Sequence, residues 1–297
     1  MSYRLRKKSL PVEVRRVTRE ELEGVLKEVL TVTPRRRSTA VHEARKHIKK
    51  VRALIRLLRR GMGDTFYKQE NAALRKAAQR ISPIRDAHVH VQTIKKLMAR
   101  SRAHRGTFKR IYDVMSARLK KVLDDREQSD WSKEVAADIE TALCRLKNWS
   151  LKGLKTDSLG NGLKAAYKKA RRALAIARDD PTDAHLHELR KCVKDLWYDL
   201  RLLEGGCPAP IKALTKRMKE LGARLGDDHD LGMLLAARTD NPLPGPTEWE
   251  ALEKTLASHR PQSQRATLRL ATKVMARKPR AFTDFVFDSW QTWHCRR

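Results

Sequence analysis

Two stretches of this 297-residue sequence carry the same run of titratable side chains. VHEARKHIKKVRALIRLL begins at Val41, and LHELRKCVKDLWYDLRLL begins at Leu186, 145 positions later. His42 aligns with His187, Arg45 with Arg190, Lys46 with Lys191, Lys49 with Lys194 and Arg56 with Arg201. Charges spaced three and four residues apart share one face of a helix. On a wheel at about 100° per residue, His42, Arg45, Lys46, Lys49, Arg52 and Arg56 fall within an arc of about 120°. No acid sits in that arc, and Glu43 lies outside it. The second copy repeats the arc with Trp197 in the place of Arg52. An ordinary solvated face mixes signs, because like charges at this spacing cost about a few tenths of a kcal/mol each. An uncompensated cationic face is suited to gripping an anion, with Arg bridging two oxygens and Lys acting as a mobile point charge. Each histidine, with an ordinary pKa near 6.5, could donate to an anion oxygen, so binding is expected to tighten as pH falls.

The elements that position these arcs are helices. Val41, Ala44, Ile48, Val51, Ile55 and Leu58 form a core-facing stripe beside the first arc. Leu186, Leu189, Val193, Leu196, Leu200 and Leu203 do the same beside the second. Helical periodicity predicts helices over about 19–31, 39–60, 66–100, 106–125, 130–149, 161–178, 183–204, 209–237, 247–259 and 262–276, with no alternating strand. Each histidine helix precedes a further long helix that ends near an Asp and a His, IRDAHV (84–89) and LGDDHDL (225–231). Asp86 then corresponds to Asp227, and His88 to His229. The economical reading is one helical unit written twice. It divides the chain into a basic arm (1–18), a first half (19–152), a second half (153–278) opening at GLKTDSLGNG, and a tail (279–297).

Composition narrows the partner. The formal net charge is +31, 34% of residues are charged and only 5% are aromatic. Such a chain seeks a polyanion: nucleic acid, an anionic surface or a phosphate polymer. No apolar run approaches the roughly 20 residues of a membrane span. The N-terminus lacks the apolar stretch of a secretory signal. Cys144, Cys192, Cys207 and Cys295 show no CxxC spacing, which suits reduced thiols in a cytoplasmic protein better than a disulfide framework or a zinc site. Single-strand binders add aromatics for base stacking, and here Trp197 is the sole candidate in the arcs, so nucleic acid is the weaker partner. Asp227-Asp228-His229-Asp230 and His88-x-His90 invite a metal-dependent phosphohydrolase reading. N-capping or a buried hydrogen bond explains those acids equally well. With no Ser–His–Asp set, phosphate-binding glycine loop or close carboxylate pair, the expectation is a binding protein, with no catalytic residues, cofactor or metal.

The pattern H-x-x-R-K-x-x-K-x-x-R/W-x-x-x-R in a long helix of both halves resembles the CHAD domain, the conserved-histidine α-helical domain. The IRDAHV stretch and YKKARRAL (167–174) ahead of the second histidine helix share the likeness, which extends over about 20–280. The resemblance implies an all-α fold of two antiparallel four-helix bundles related by a pseudo-twofold, with the basic faces meeting around a central groove or pore. It further implies binding of inorganic polyphosphate and association with polyphosphate granules. The ExExK strand motif of the triphosphate-tunnel domain to which many members are fused is not found in this sequence. Carried over by position, the implied ligands are His42, Arg45, Lys46, Lys49, His187, Arg190, Lys191 and Lys194. Arg52, Arg56, Arg201, Lys168 and Arg172 form the next tier. Trp197 and Cys192 break the all-basic pattern, so the second half is expected to contribute fewer contacts.

Overall fold

The computed structural model describes residues 3–100, 104–127, 130–206, 209–240 and 244–295, and every regular element among them is helical. The helices are α1 (Leu10–Leu30), α2 (Arg37–Leu57), a short α3 (Arg59–Met62), α4 (Asp64–Arg80), α5 (Ser82–Arg100), α6 (Arg105–Glu127) and α7 (Trp131–Lys147). There follow α8 (Asp157–Asp179), α9 (Asp183–Leu203), α10 (Ala209–Asp240), α11 (Pro246–Val274), α12 (Pro279–Thr283), a π turn (Asp284–Asp288) and α13 (Ser289–Cys295).

Four boundaries differ from the expectation, each for a local reason. The expected basic arm becomes α1 from Leu10 onward, because Pro11 sits in the first turn, where a missing N–H costs nothing. The remainder of that arm is also tied down: Tyr3 and Leu5 are buried, and the Leu5 amide donates to the Leu202 carbonyl at 2.8 Å. The single helix expected over 66–100 breaks at Ile81, as Pro83 cannot continue the preceding backbone ladder. The helix expected from 161 starts earlier, at Asp157, so Gly160 joins Gly162 inside α8. A Cβ on Gly162 would fall 1.8 Å from the Leu57 carbonyl oxygen, so glycine is there to let α8 press against the end of α2. The two helices expected on either side of Pro261 are one, α11, held by burial of Leu252 and Leu256 before the proline and of Leu268 and Ala271 after it.

The helices pack in two groups. Helices α1, α2, α4 and α7 pack on one another, as do α8, α9, α10 and α11, while α2 also touches α8 and α9. In the α5–α6 hairpin, α5 touches α2 and α4 and also lies against α10, and α6 lies against α11. A large core contains both predicted stripes, and all twelve of their residues are buried. Val286, Phe287 and Trp290 of the tail belong to the same core. A smaller core joins Val91, Ile94, Phe108 and Ile111 to Leu234, Trp249 and Leu256. Helices α5 and α10 serve both cores, and the Asp–His motifs fall where each passes from one to the other: between Ile84 and Val91, and between Leu225 and Leu234. The predicted N-capping role is therefore excluded, since Asp227–Asp230 lie mid-helix. Asp228 is instead buried and takes hydrogen bonds from Arg260 Nε (2.8 Å) and Gln264 Nε2 (3.0 Å). Among the described residues no helix is long and apolar enough to cross a membrane.

Candidate anion-binding site

The cations of the two arcs come together where α2 meets α9. Lys49 of α2 has Arg45, Arg190, Lys194 and Arg85 as its strongest charged neighbours, drawn from α2, α9 and α5. Its side chain is exposed, with cations from three helices around it. Loss of hydration first, and those cations second, push its ammonium down to about 7. The same causes, burial and then Arg190 and Arg201, bring Lys194 to about 8. Gly222 of α10 leaves room for Lys194, for a Cβ there would lie 3.0 Å from its Cδ. Arg190 is half-buried, and its Nε has no hydrogen-bond partner. Among the described residues, Lys49, Arg190 and Lys194 have no carboxylate within ion-pairing distance.

Other members of the arcs are already engaged. Lys46 Nζ bonds Glu43 at 2.6 Å, and Lys191 pairs with Glu188, which also takes Lys169 at 2.9 Å. The bond from Lys191 draws the Glu188 carboxyl down to about 2. This corrects the reading of both arcs as uncompensated. The wheel separates Glu43 from the arc by its Cα direction, yet three residues is within reach of two long side chains. Arg45 donates to the Ala78 carbonyl (3.1 Å) and to Ser82 Oγ, Arg52 to Asn71 Oδ1 (2.9 Å), and Arg56 pairs with Asp195 across the two halves. Lys168 and Arg172 are exposed on α8 and are not among the strongest charged neighbours of Lys49, Arg190 or Lys194. Arg201 has no carboxylate pair among the described residues and faces the Tyr3 and Trp197 rings, 5.8 and 5.0 Å from their centres.

The histidines behave differently from their sequence expectation. His187 Nδ1 lies 3.2 Å from His229 Nδ1, so the histidine of the second arc meets that of the LGDDHDL motif. Burial, followed by Arg190 and His187, lowers His229 to about 4, and burial with Arg85 lowers His42 to the same level. His187 is also lowered, by burial and then Lys191. At neutral pH these rings are uncharged hydrogen-bonding groups, and the titration expected near 6.5 moves to the lysines.

Sequence reasoning missed Arg85, one residue before the Asp86 it singled out, and Lys219. Arg85 adds a cation from α5 near Arg45 and Arg190 and faces Asp230, and Lys219 adds one from α10 near Lys194. The quoted IRDAHV motif contained the first signal, since an arginine beside a paired Asp–His motif belongs to the same turn. Among the described residues no group of three or more His, Cys, Asp or Glu side chains could hold a metal ion. What the arrangement can do chemically is hold phosphate-like oxygens between cations fixed on three helices.

Comparison with curated proteins gives no match. The model of the family described as CHAD domain matches residues 17–239, so α11, which completes both cores, follows the matched region. With three quarters of the sequence inside that match, the chain belongs to the CHAD domain family.

Proposed function

We propose that the protein binds inorganic polyphosphate in a groove whose walls are α2 and α9, and that it acts by binding rather than by turnover. The observation that carries this reading is the convergence of Lys49, Arg190 and Lys194, none of which has an ion-paired carboxylate among the described residues, Asp230 being the acid nearest Arg190 in effect. Lys49 and Lys194 are crowded by other cations, a cost that a bound polyanion removes. A linear polyphosphate offers closely spaced charge and no bases, and therefore needs only cations on rigid supports. Family membership supports the same reading, and association with polyphosphate granules follows from it. His42, His187 and His229 add neutral donors beside the cations. Trp197 bears on the nucleic-acid alternative: Lys194 and Arg201 lie over its ring, so an incoming base would compete with them.

The test is charge reversal at fixed net charge. Lys49→Glu with Lys194→Glu should abolish binding of long-chain inorganic polyphosphate while leaving helicity unchanged. Lys152→Glu with Lys155→Glu, two exposed positions between α7 and α8, should weaken it by about twofold at most. Equal losses in both pairs would mean that overall charge, and no built site, governs the affinity.

A further inference from the structure

We propose that Trp197 is a positioning residue whose indole holds Lys194 and Arg201 as a preset pair of cations on the α9 wall. The inference rests on the polyphosphate reading and concerns how that same site is organised. Lys194 Nζ lies 4.1 Å from the Trp197 ring centre, and Arg201 Cζ lies 5.0 Å from it. Trp197 follows Lys194 by three positions and precedes Arg201 by four, so α9 sets all three on one face. Tyr198 extends the aromatic surface, its ring centre 4.8 Å from that of Trp197.

A π face and a carboxylate restrain a cation in different ways. Glu188 fixes Lys191 but cancels its charge. The indole attracts a cation through its quadrupole and leaves the full charge available to a ligand. Lys and Arg lose rotamer freedom when they bind, and side chains already ordered lose less. In the first half the position equivalent to Trp197 is Arg52, which is tied to Asn71, and the equivalent of Arg201 is Arg56, which is paired with Asp195. The tryptophan thus stands at the point where the two arcs diverge, and the two cations over its ring are without a carboxylate pair among the described residues.

The experiment titrates long-chain inorganic polyphosphate into the wild type, Trp197→Phe, Trp197→Leu, Lys194→Met/Arg201→Met, and that double variant carrying Trp197→Leu. Phenylalanine should keep the affinity within about threefold, and leucine should weaken it roughly five- to tenfold. In the Lys194→Met/Arg201→Met background, leucine should add no further loss. Trp197→Met, which fills space without a π face, replaces leucine should that variant not fold. An equal leucine effect in both backgrounds would overturn the inference, as would equal affinities of the phenylalanine and leucine variants. Failure of the wild type to bind polyphosphate would remove the underlying reading instead, so the two failures are distinct.

Discussion

Arg56 and Arg201 occupy equivalent places 145 positions apart, and their surroundings are opposite. Arg56 pairs with Asp195 and has the buried Asp199 nearby. The counterpart of Asp195 at the same offset is Lys50, so the corresponding pair in the other direction, Arg201 with Lys50, joins like charges. Tyr3 stands at that point: its ring centre is 5.8 Å from Arg201 Cζ and 5.6 Å from Lys50 Nζ. Lys50 is satisfied by Glu21 at 2.9 Å, and Arg201 has no carboxylate pair among the described residues. The two arginines thus differ: Arg56 fastens α2 to α9 through Asp195, and Arg201 faces aromatic rings instead. Arg52, Arg56 and Lys46 of the first arc and Lys191 of the second are engaged, while Lys49, Arg190, Lys194 and Arg201 have no carboxylate pair among the described residues.

Opposite phenotypes at equivalent positions would sharpen this comparison most. Arg56→Met should lower stability by about 2 kcal/mol, since it leaves Asp195 without its cation, partly offset by the water that still reaches Asp195. Arg201→Met should leave the melting temperature within about 2 °C and weaken polyphosphate binding roughly tenfold. Thermal melts and titrations of both variants read the contrast, and matching phenotypes would break it.

The lysines supply the next effect. A bound polyanion raises the pKa of Lys49 from its free value of about 7, so the complex holds a proton that the free protein loses as pH rises. Affinity should fall about tenfold between pH 6 and pH 8 from this group alone. Lys194, at about 8 when free, should extend the decline toward pH 9. Lys49→Met should flatten the lower part of the profile. A profile centred near 6.5 would return the role to the histidines.

Stability should move the other way. The folded-state pKa of Lys49 is depressed below its unfolded value near 10.4, so the penalty of lost hydration and cation crowding is full below pH 7 and disappears as pH rises toward that value. Lys49→Met should therefore raise the melting temperature at pH 7 and lose that advantage by about pH 10, even as it weakens binding. The smallest change is expected from Glu188→Gln, which releases Lys191 and should tighten binding by about twofold.

The sequence makes the helices and their buried faces legible, since stripes such as Val41–Leu58 and Leu186–Leu203 depend only on a period near 3.6 residues. It also makes the chemistry of each arc legible. It leaves out which cations are free, because that depends on tertiary neighbours: Asp195 across the halves for Arg56, Asn71 of α4 for Arg52, Ser82 of α5 for Arg45. Gly162 shows the same limit. A glycine-rich stretch read alone resembles a linker, and only the approach of Leu57 explains why a helix contains it.

The measurement that tests the central claim most directly is a calorimetric titration at physiological salt. Long-chain polyphosphate would be compared with single-stranded and duplex DNA matched in total phosphate. The convergence of unpaired cations predicts much tighter binding of polyphosphate, saturating at a defined stoichiometry and lost in the Lys49→Glu/Lys194→Glu variant. Equal affinities for all three polymers, collapsing together as salt rises, would contradict it and leave the net charge of +31 as the whole basis of binding.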